Sequence, residues 1–127
     1  MKVLLDEHFD HALRRLLAPH EAVTVAYMGW AGLKNGELLN AAEAGGIEVL
    51  LTGDQTLNHE QNLQGRRLGV VALSAIQLPI IRWSIPRIIA AIDRASPGSF
   101  EVVDCGTFSR KRSAKRIAPD GESAGDT

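Results

Sequence analysis

The chain has 127 residues, enough for one domain and too few for two ordinary ones. Apolar residues make up 45% and aromatics 5%, so a packed core is feasible and must consist mainly of Leu, Val, Ile and Ala. The net charge of −1 points by itself to no polyanionic partner, and the single Cys105 excludes an intrachain disulfide and fits a reducing cytoplasm.

"MKVLLDEH" meets an acidic pair after only three apolar residues, too short for the apolar core of a signal peptide. No run approaches the roughly 18 apolar residues that a membrane span requires. In chain order, Val3-Leu4-Leu5 reads as a strand buried on both faces. Phe9, Leu13, Leu16 and Leu17 recur at helical spacing, and Pro19 stops that helix. "EAVTVAYM", 21–28, alternates and is rich in Val and Thr, which predicts a second strand. "GWAGLKNG", 29–36, is a glycine-rich loop. Asn35 is a candidate cap for a helix running to about Ala44 with Leu38, Leu39, Ala41 and Ala42 inward, ended by Gly45-Gly46.

"IEVLL", 47–51, predicts a third strand, and the polar stretch 55–66 one short helix or a loop. "LGVVAL", 68–73, predicts a fourth strand. "IPRIIAAIDRA", 85–95, predicts a helix with Ser84 as cap and Pro86 in its first turn. "FEVVD", 100–104, predicts a fifth strand. Strands alternating with helices imply an α/β fold, a mainly parallel five-stranded sheet covered on both sides, over residues 1–106. Residues 1–106 carry 9 Lys+Arg and 12 Asp+Glu, whereas 107–127 carry 5 and 3, with "RKRSAKR" at 110–116. That second stretch has few apolar residues and reads as a disordered basic and polar tail.

Two strands end on carboxylates: Asp6, followed by Glu7, after the first, and Asp54 just past the third. Ligands of open parallel sheets bind at the carboxyl ends of the strands, so these two acids are candidates for one rim. Glu37, in the first turn of the mid-chain helix, can lean toward the same rim. Three carboxylates together repel by a few kcal/mol at intermediate dielectric, and a divalent cation removes that penalty. Oxygen donors without a His or Cys cluster suit Mg²⁺ or Mn²⁺, which activates water and stabilises charge on a phosphate. Taken singly, each acid is also a plain helix-cap or helix-start residue.

Around this set, His8 is a hydrogen-bonding or proton-handling candidate, or a surface histidine. Thr52 and Asn58 are placed to orient Asp54 or a bound water, or serve turn chemistry. Arg66-Arg67 precedes strand 4 and is a candidate phosphate contact or a plain solvated loop pair; Arg110, Lys111 and Arg112 in the tail are likewise candidate phosphate contacts or part of a solvated end. Trp30 is either a base-stacking platform or a cover for the sheet edge. His8, His11 and His59 lack the Cys partners of a zinc site, and Cys105 reads as a small core or edge residue. The short strand "FEVVD" and the apolar "LPIIRW" offer material for a homodimer, or are buried within the monomer.

"VLLDEH", "GLKNGELLNAAEAGGIEVLLTGDQTL" and "GVVAL" together resemble the short PIN-like proteins of prokaryotes over roughly residues 1–104. The resemblance implies a three-layer α/β/α sandwich and a metal-dependent ribonuclease, and suggests the toxin of a toxin–antitoxin pair with an antitoxin protein as partner. Asp6, Glu37 and Asp54 match the family's acids after strand 1, in a mid-chain helix and in a Thr/Ser-x-Asp context. They are implied as the catalytic ligands of Mg²⁺ or Mn²⁺, with RNA as substrate. Where the family often carries a further acid, "QTLNHEQN" has Gln55, Asn58 and Glu60, so a second ion lacks its ligand. Two alternatives stand beside the nuclease. One is a non-catalytic PIN-like binding protein that acts through a protein partner. The other is a receiver-like phosphoacceptor domain built on Asp6-Glu7, Asp54 and Ser74, which has no Lys after strand 5 before Lys111.

Overall fold

The computed structural model of the chain describes residues 1–106. The tail expected over 107–127, with Arg110, Lys111 and Arg112, lies outside them.

Five strands form one all-parallel sheet: β1 (Lys2–Leu5), β2 (Glu21–Thr24), β3 (Val49–Thr52), β4 (Gly69–Leu73) and β5 (Phe100–Val103), in the order β2-β1-β3-β4-β5. Helices cover both faces, giving the expected three-layer α/β/α sandwich. Every residue of β3 and β4 is buried, whereas the edge strands β2 and β5 each bury one of four. Central strands covered on both faces must be apolar throughout, and this is why "VLL" and "GVVAL" were legible.

Successive side chains of each strand feed opposite layers. Val3, Leu5, Val49, Leu51, Val71 and Leu73 pack with Leu13 and Leu17, and with Ile88, Ala91 and Ile92 of α6 (Ile85–Arg94). Leu4, Leu50 and Val70 pack with Leu38, Leu39 and Ala42 of α3 (Asn35–Ala44), and with Val25, Leu57 and Leu68. The first layer is closed below by α5 (Leu78–Ile81) and a 3₁₀ turn, Arg82–Ser84. In "LPIIRW", Ile81 is therefore buried, while Trp83 projects from the surface.

Three expected boundaries move, each for a local reason. The helix expected from Phe9 shrinks to α1 (Leu13–Leu16). Polar side chains divert the chain before it, the Asp10 carboxylate accepting the Ala12 N–H and the Asp6 carboxylate the Glu7 N–H. The strand expected over 21–28 stops at Thr24. Its hydroxyl accepts the Tyr27 N–H at 3.1 Å and starts a single helical turn, α2 (Val25–Met28), which ends at Gly29 with φ +79°. Asn35 does not cap α3, whose N-cap is Lys34 without a side-chain bond. The stretch 55–66 holds one short helix, α4 (Leu57–Glu60).

Candidate functional site

All five strands point the same way, so their carboxyl ends form one rim. The strand order reverses direction between β1 and β3, and that is where a doubly wound sheet opens a crevice. A cleft of about 420 Å³ lies there, lined by Asp6, Glu7 and His8 from the loop after β1, Gly53 and Asp54 from the loop after β3, and Asn35 from α3. Phe9, Leu33 and Ile76 form its apolar walls.

Thr52 joins the two strand-end acids. It is fully buried, and its hydroxyl donates to Asp6 Oδ2 at 2.8 Å while accepting the Asp54 N–H at 3.1 Å. The Glu7 N–H fixes Asp6 Oδ1 at 2.8 Å. Asp54 Oδ1 accepts both the N–H and the hydroxyl of Thr56, each at 2.9 Å, and Asn35 Nδ2 approaches Oδ2 at 3.4 Å. Asp54 therefore does shape the turn into α4, but one of its oxygens faces the cleft partner Asn35. Glu7 Oε1 accepts the Gly32 N–H at 3.2 Å, tying the glycine-rich loop to the rim. Gly53 is needed between the two groups, because a Cβ there would stand 2.5 Å from Ile76 Cγ2.

Glu37 does not join the cleft. Residues two apart on a helix sit roughly 200° apart around its axis. Asn35 faces the rim, Leu38, Leu39 and Ala42 face the sheet, and Glu37 projects exposed on the opposite side. Among the described residues, no group of three or more His, Cys, Asp or Glu side chains is placed to hold a metal ion together. The three-acid cluster expected from the sequence is thus reduced to Asp6 and Asp54, with Glu7 on the cleft wall.

His8 lines the cleft and is exposed, whereas Asn58 is exposed on α4 and does not line it. Arg66 and Arg67 precede β4 and so lie at the amino end of the sheet, away from the acids. Arg66 donates to Asn40 Oδ1 at 2.6 Å and pairs with Glu43 at 3.0 Å, and the Arg67 N–H also binds the Glu43 carboxylate. The Arg67 amide, with Arg66 beside it, holds the Glu43 carboxyl below its ordinary value of 4.5. These arginines clamp α3 instead of presenting a phosphate-binding pair beside the cleft. Trp30 folds back onto the second core layer, its ring so close to Gly45 that a Cβ there would stand 2.8 Å from Cη2, so it is no stacking platform.

Among the described residues no Lys or Arg pairs with Asp6, Glu7 or Asp54, so their negative charge is not neutralised from within. Mg²⁺ characteristically binds through one or two carboxylates and keeps several waters, completing its shell with phosphate oxygens. Two carboxylates beside a hydroxyl and an amide, open to solvent and free of thiolates, fit such an ion. They do not make an enclosed all-protein cage, and they do not supply a second ion's ligands.

The features of a receiver site are incomplete. The strand order is that of flavodoxin-like sheets, which receivers share. Ser74, however, accepts the Cys105 N–H at 2.8 Å and donates to Asp104 Oδ1 at 3.3 Å, and the residues described after β5 include no Lys.

Sequence reasoning missed Asn35, taken as a cap, and passed over Gly53. The separation of Asn35 from Asp54 by an entire helix and strand leaves no local signal. Comparison with protein-family models, curated proteins and solved structures finds no match for the chain. Among the described residues no helix is long and apolar enough to cross a membrane.

Proposed function

We propose that the protein is a Mg²⁺- or Mn²⁺-dependent ribonuclease of PIN-like type, acting in the cytoplasm, with the β1/β3 crevice as its active site. The observation that carries this is the Thr52 bridge between Asp6 and Asp54, two carboxylates at the topological switch point that no Lys or Arg among the described residues neutralises. Asp6 and Asp54 would hold the ion, without Glu37, which does not line the cleft.

A bound divalent ion supplies Lewis-acid stabilisation of phosphate charge and a water of lowered pKa. The chain's own residues do the rest. Thr52 and the Glu7 amide fix both oxygens of Asp6, and Thr56 fixes Asp54, so the donors need no reorganisation when ion and phosphate arrive. Phe9, Leu33 and Ile76 give the cleft walls that exclude water from one side of the phosphodiester. His8, which lines the cleft and is exposed, would exchange a proton with the leaving oxygen. The resemblance to short PIN-like proteins favours RNA as substrate and a toxin role countered by an antitoxin protein.

The test is cleavage of a single-stranded RNA by the full chain with Mg²⁺ or Mn²⁺ and with excess chelator. Metal-dependent cleavage lost by roughly a hundredfold or more in both Asp6→Asn and Asp54→Asn is expected. Cleavage that survives the chelator, or either substitution, overturns the assignment.

A further inference from the structure

RNA needs cationic contacts on the rim that carries the acids, and Arg66 and Arg67 are at the other end of the sheet. A second cleft, of about 470 Å³, is on the correct rim. It is lined by His11, Arg14, Thr24, Ala26 and Tyr27. β2 pairs with β1 in the register Leu5↔Thr24, so Thr24 lies beside the residue that precedes Asp6. The two clefts are therefore lined from the carboxyl ends of neighbouring strands, Thr24 ending β2 and Asp6 following β1.

Tyr27 is 81% exposed, an aromatic ring that the core does not use. Its backbone is fixed in the turn, which Thr24 caps and Gly29 closes. Arg14 is exposed on α1 and pairs with no acid among the described residues. Among the described residues no acid lines this cleft, so a cationic hollow lies on the same rim as an acidic one. A free small anion would leave the ring without a partner, and an apolar peptide would leave the guanidinium without one. A nucleotide uses both, its base on the ring and its phosphate on the arginine.

We propose that the His11–Arg14–Tyr27 cleft is a nucleotide subsite for single-stranded RNA, with one base stacked on Tyr27 and a neighbouring phosphate paired with Arg14. The choice of RNA rests on the ribonuclease assignment above. The subsite feeds the strand toward Asp6 across the β2–β1 boundary, and His11 adds a ring N–H to the phosphate.

The experiment is fluorescence anisotropy of a labelled single-stranded RNA oligomer with the full chain, in chelator so that nothing is cut. Tyr27→Ala should weaken binding roughly 5- to 150-fold, and Tyr27→Phe should keep it within about twofold. Arg14→Gln should weaken binding and lower the slope of log affinity against log salt by about 0.7. Both side chains are exposed, so circular dichroism of these variants should match the wild type. Wild-type affinity in Tyr27→Ala and Arg14→Gln, or no binding by the wild type, overturns the subsite. Binding that depends on Tyr27 and Arg14 without metal-dependent cleavage leaves the subsite standing and removes the ribonuclease assignment. Cleavage with binding indifferent to both variants does the reverse.

Discussion

Thr52→Val tests whether one hydroxyl builds the candidate site. The two side chains have nearly the same shape, so packing at this fully buried position is preserved while both hydrogen bonds go. The bond to Asp6 Oδ2, at 2.8 Å, is charge-assisted and is worth about 1.5–3 kcal/mol; the one accepted from the Asp54 N–H, at 3.1 Å, is worth about 1 kcal/mol. Asp6 is only half-buried, so water recovers part of the first. The net loss is roughly 1.5–3 kcal/mol, a fall in Tm of about 7–13 °C for a domain of this size. Urea and thermal unfolding of Thr52→Val and Thr52→Ser measure it. The serine variant keeps the hydroxyl and loses a methyl, a cost of about 1 kcal/mol. A double-mutant cycle with Asp6→Ala should show coupling of at least about 1 kcal/mol. A valine variant within about 0.5 kcal/mol of wild type, with the serine variant the weaker of the two, would show that Thr52 serves packing alone and that no hydroxyl joins the acids.

Two further outcomes follow from the scaffold. Glu43 has its carboxyl lowered by the Arg67 amide and by Arg66, so its folded pKa lies below its unfolded one. Its contribution is complete above about pH 4.5 and is lost as the pH falls through the depressed value. Glu43→Gln should therefore destabilise by about 1–2 kcal/mol at pH 7, with the gap to wild type closing in acid; a gap independent of pH refutes the ionic clamp. Gly69→Ala should cost about 1–3 kcal/mol in denaturant melts, because its Cβ would stand 2.6 Å from Ser99 Oγ and 2.7 Å from the Ser96 carbonyl, beside the point where β4 meets β5. A neutral result would show that this loop yields freely.

The sheet was legible because its central strands are apolar on both faces, a pattern that few other arrangements tolerate. The strand ends carried the site signal for the same reason: an Asp directly after "VLL" or "LLTG" must emerge at the rim. Local polar chemistry hid the rest. Asp6 and Asp10 turn the chain where "FDHALRRLL" has helical spacing, and Thr24 converts an alternating strand pattern into a helical turn. Glu37 was misplaced because its position in the helix was read without its angle; the buried trio Leu38, Leu39 and Ala42 already puts it on the far side. The assignment of Arg66 and Arg67 overlooked strand direction, since residues before a parallel strand lie opposite the carboxyl rim. Tyr27 carried no signal until the turn that lifts it out of β2 was seen.

Manganese binding by calorimetry tests the central claim most directly, on wild type, Asp6→Asn, Asp54→Asn and Glu37→Gln. The two-carboxylate site predicts binding by the wild type, at least a tenfold loss in each aspartate variant, and wild-type affinity in Glu37→Gln. No binding by the wild type, or equal binding by the aspartate variants, would contradict it and leave Asp6 and Asp54 as residues that shape the turns after β1 and β3.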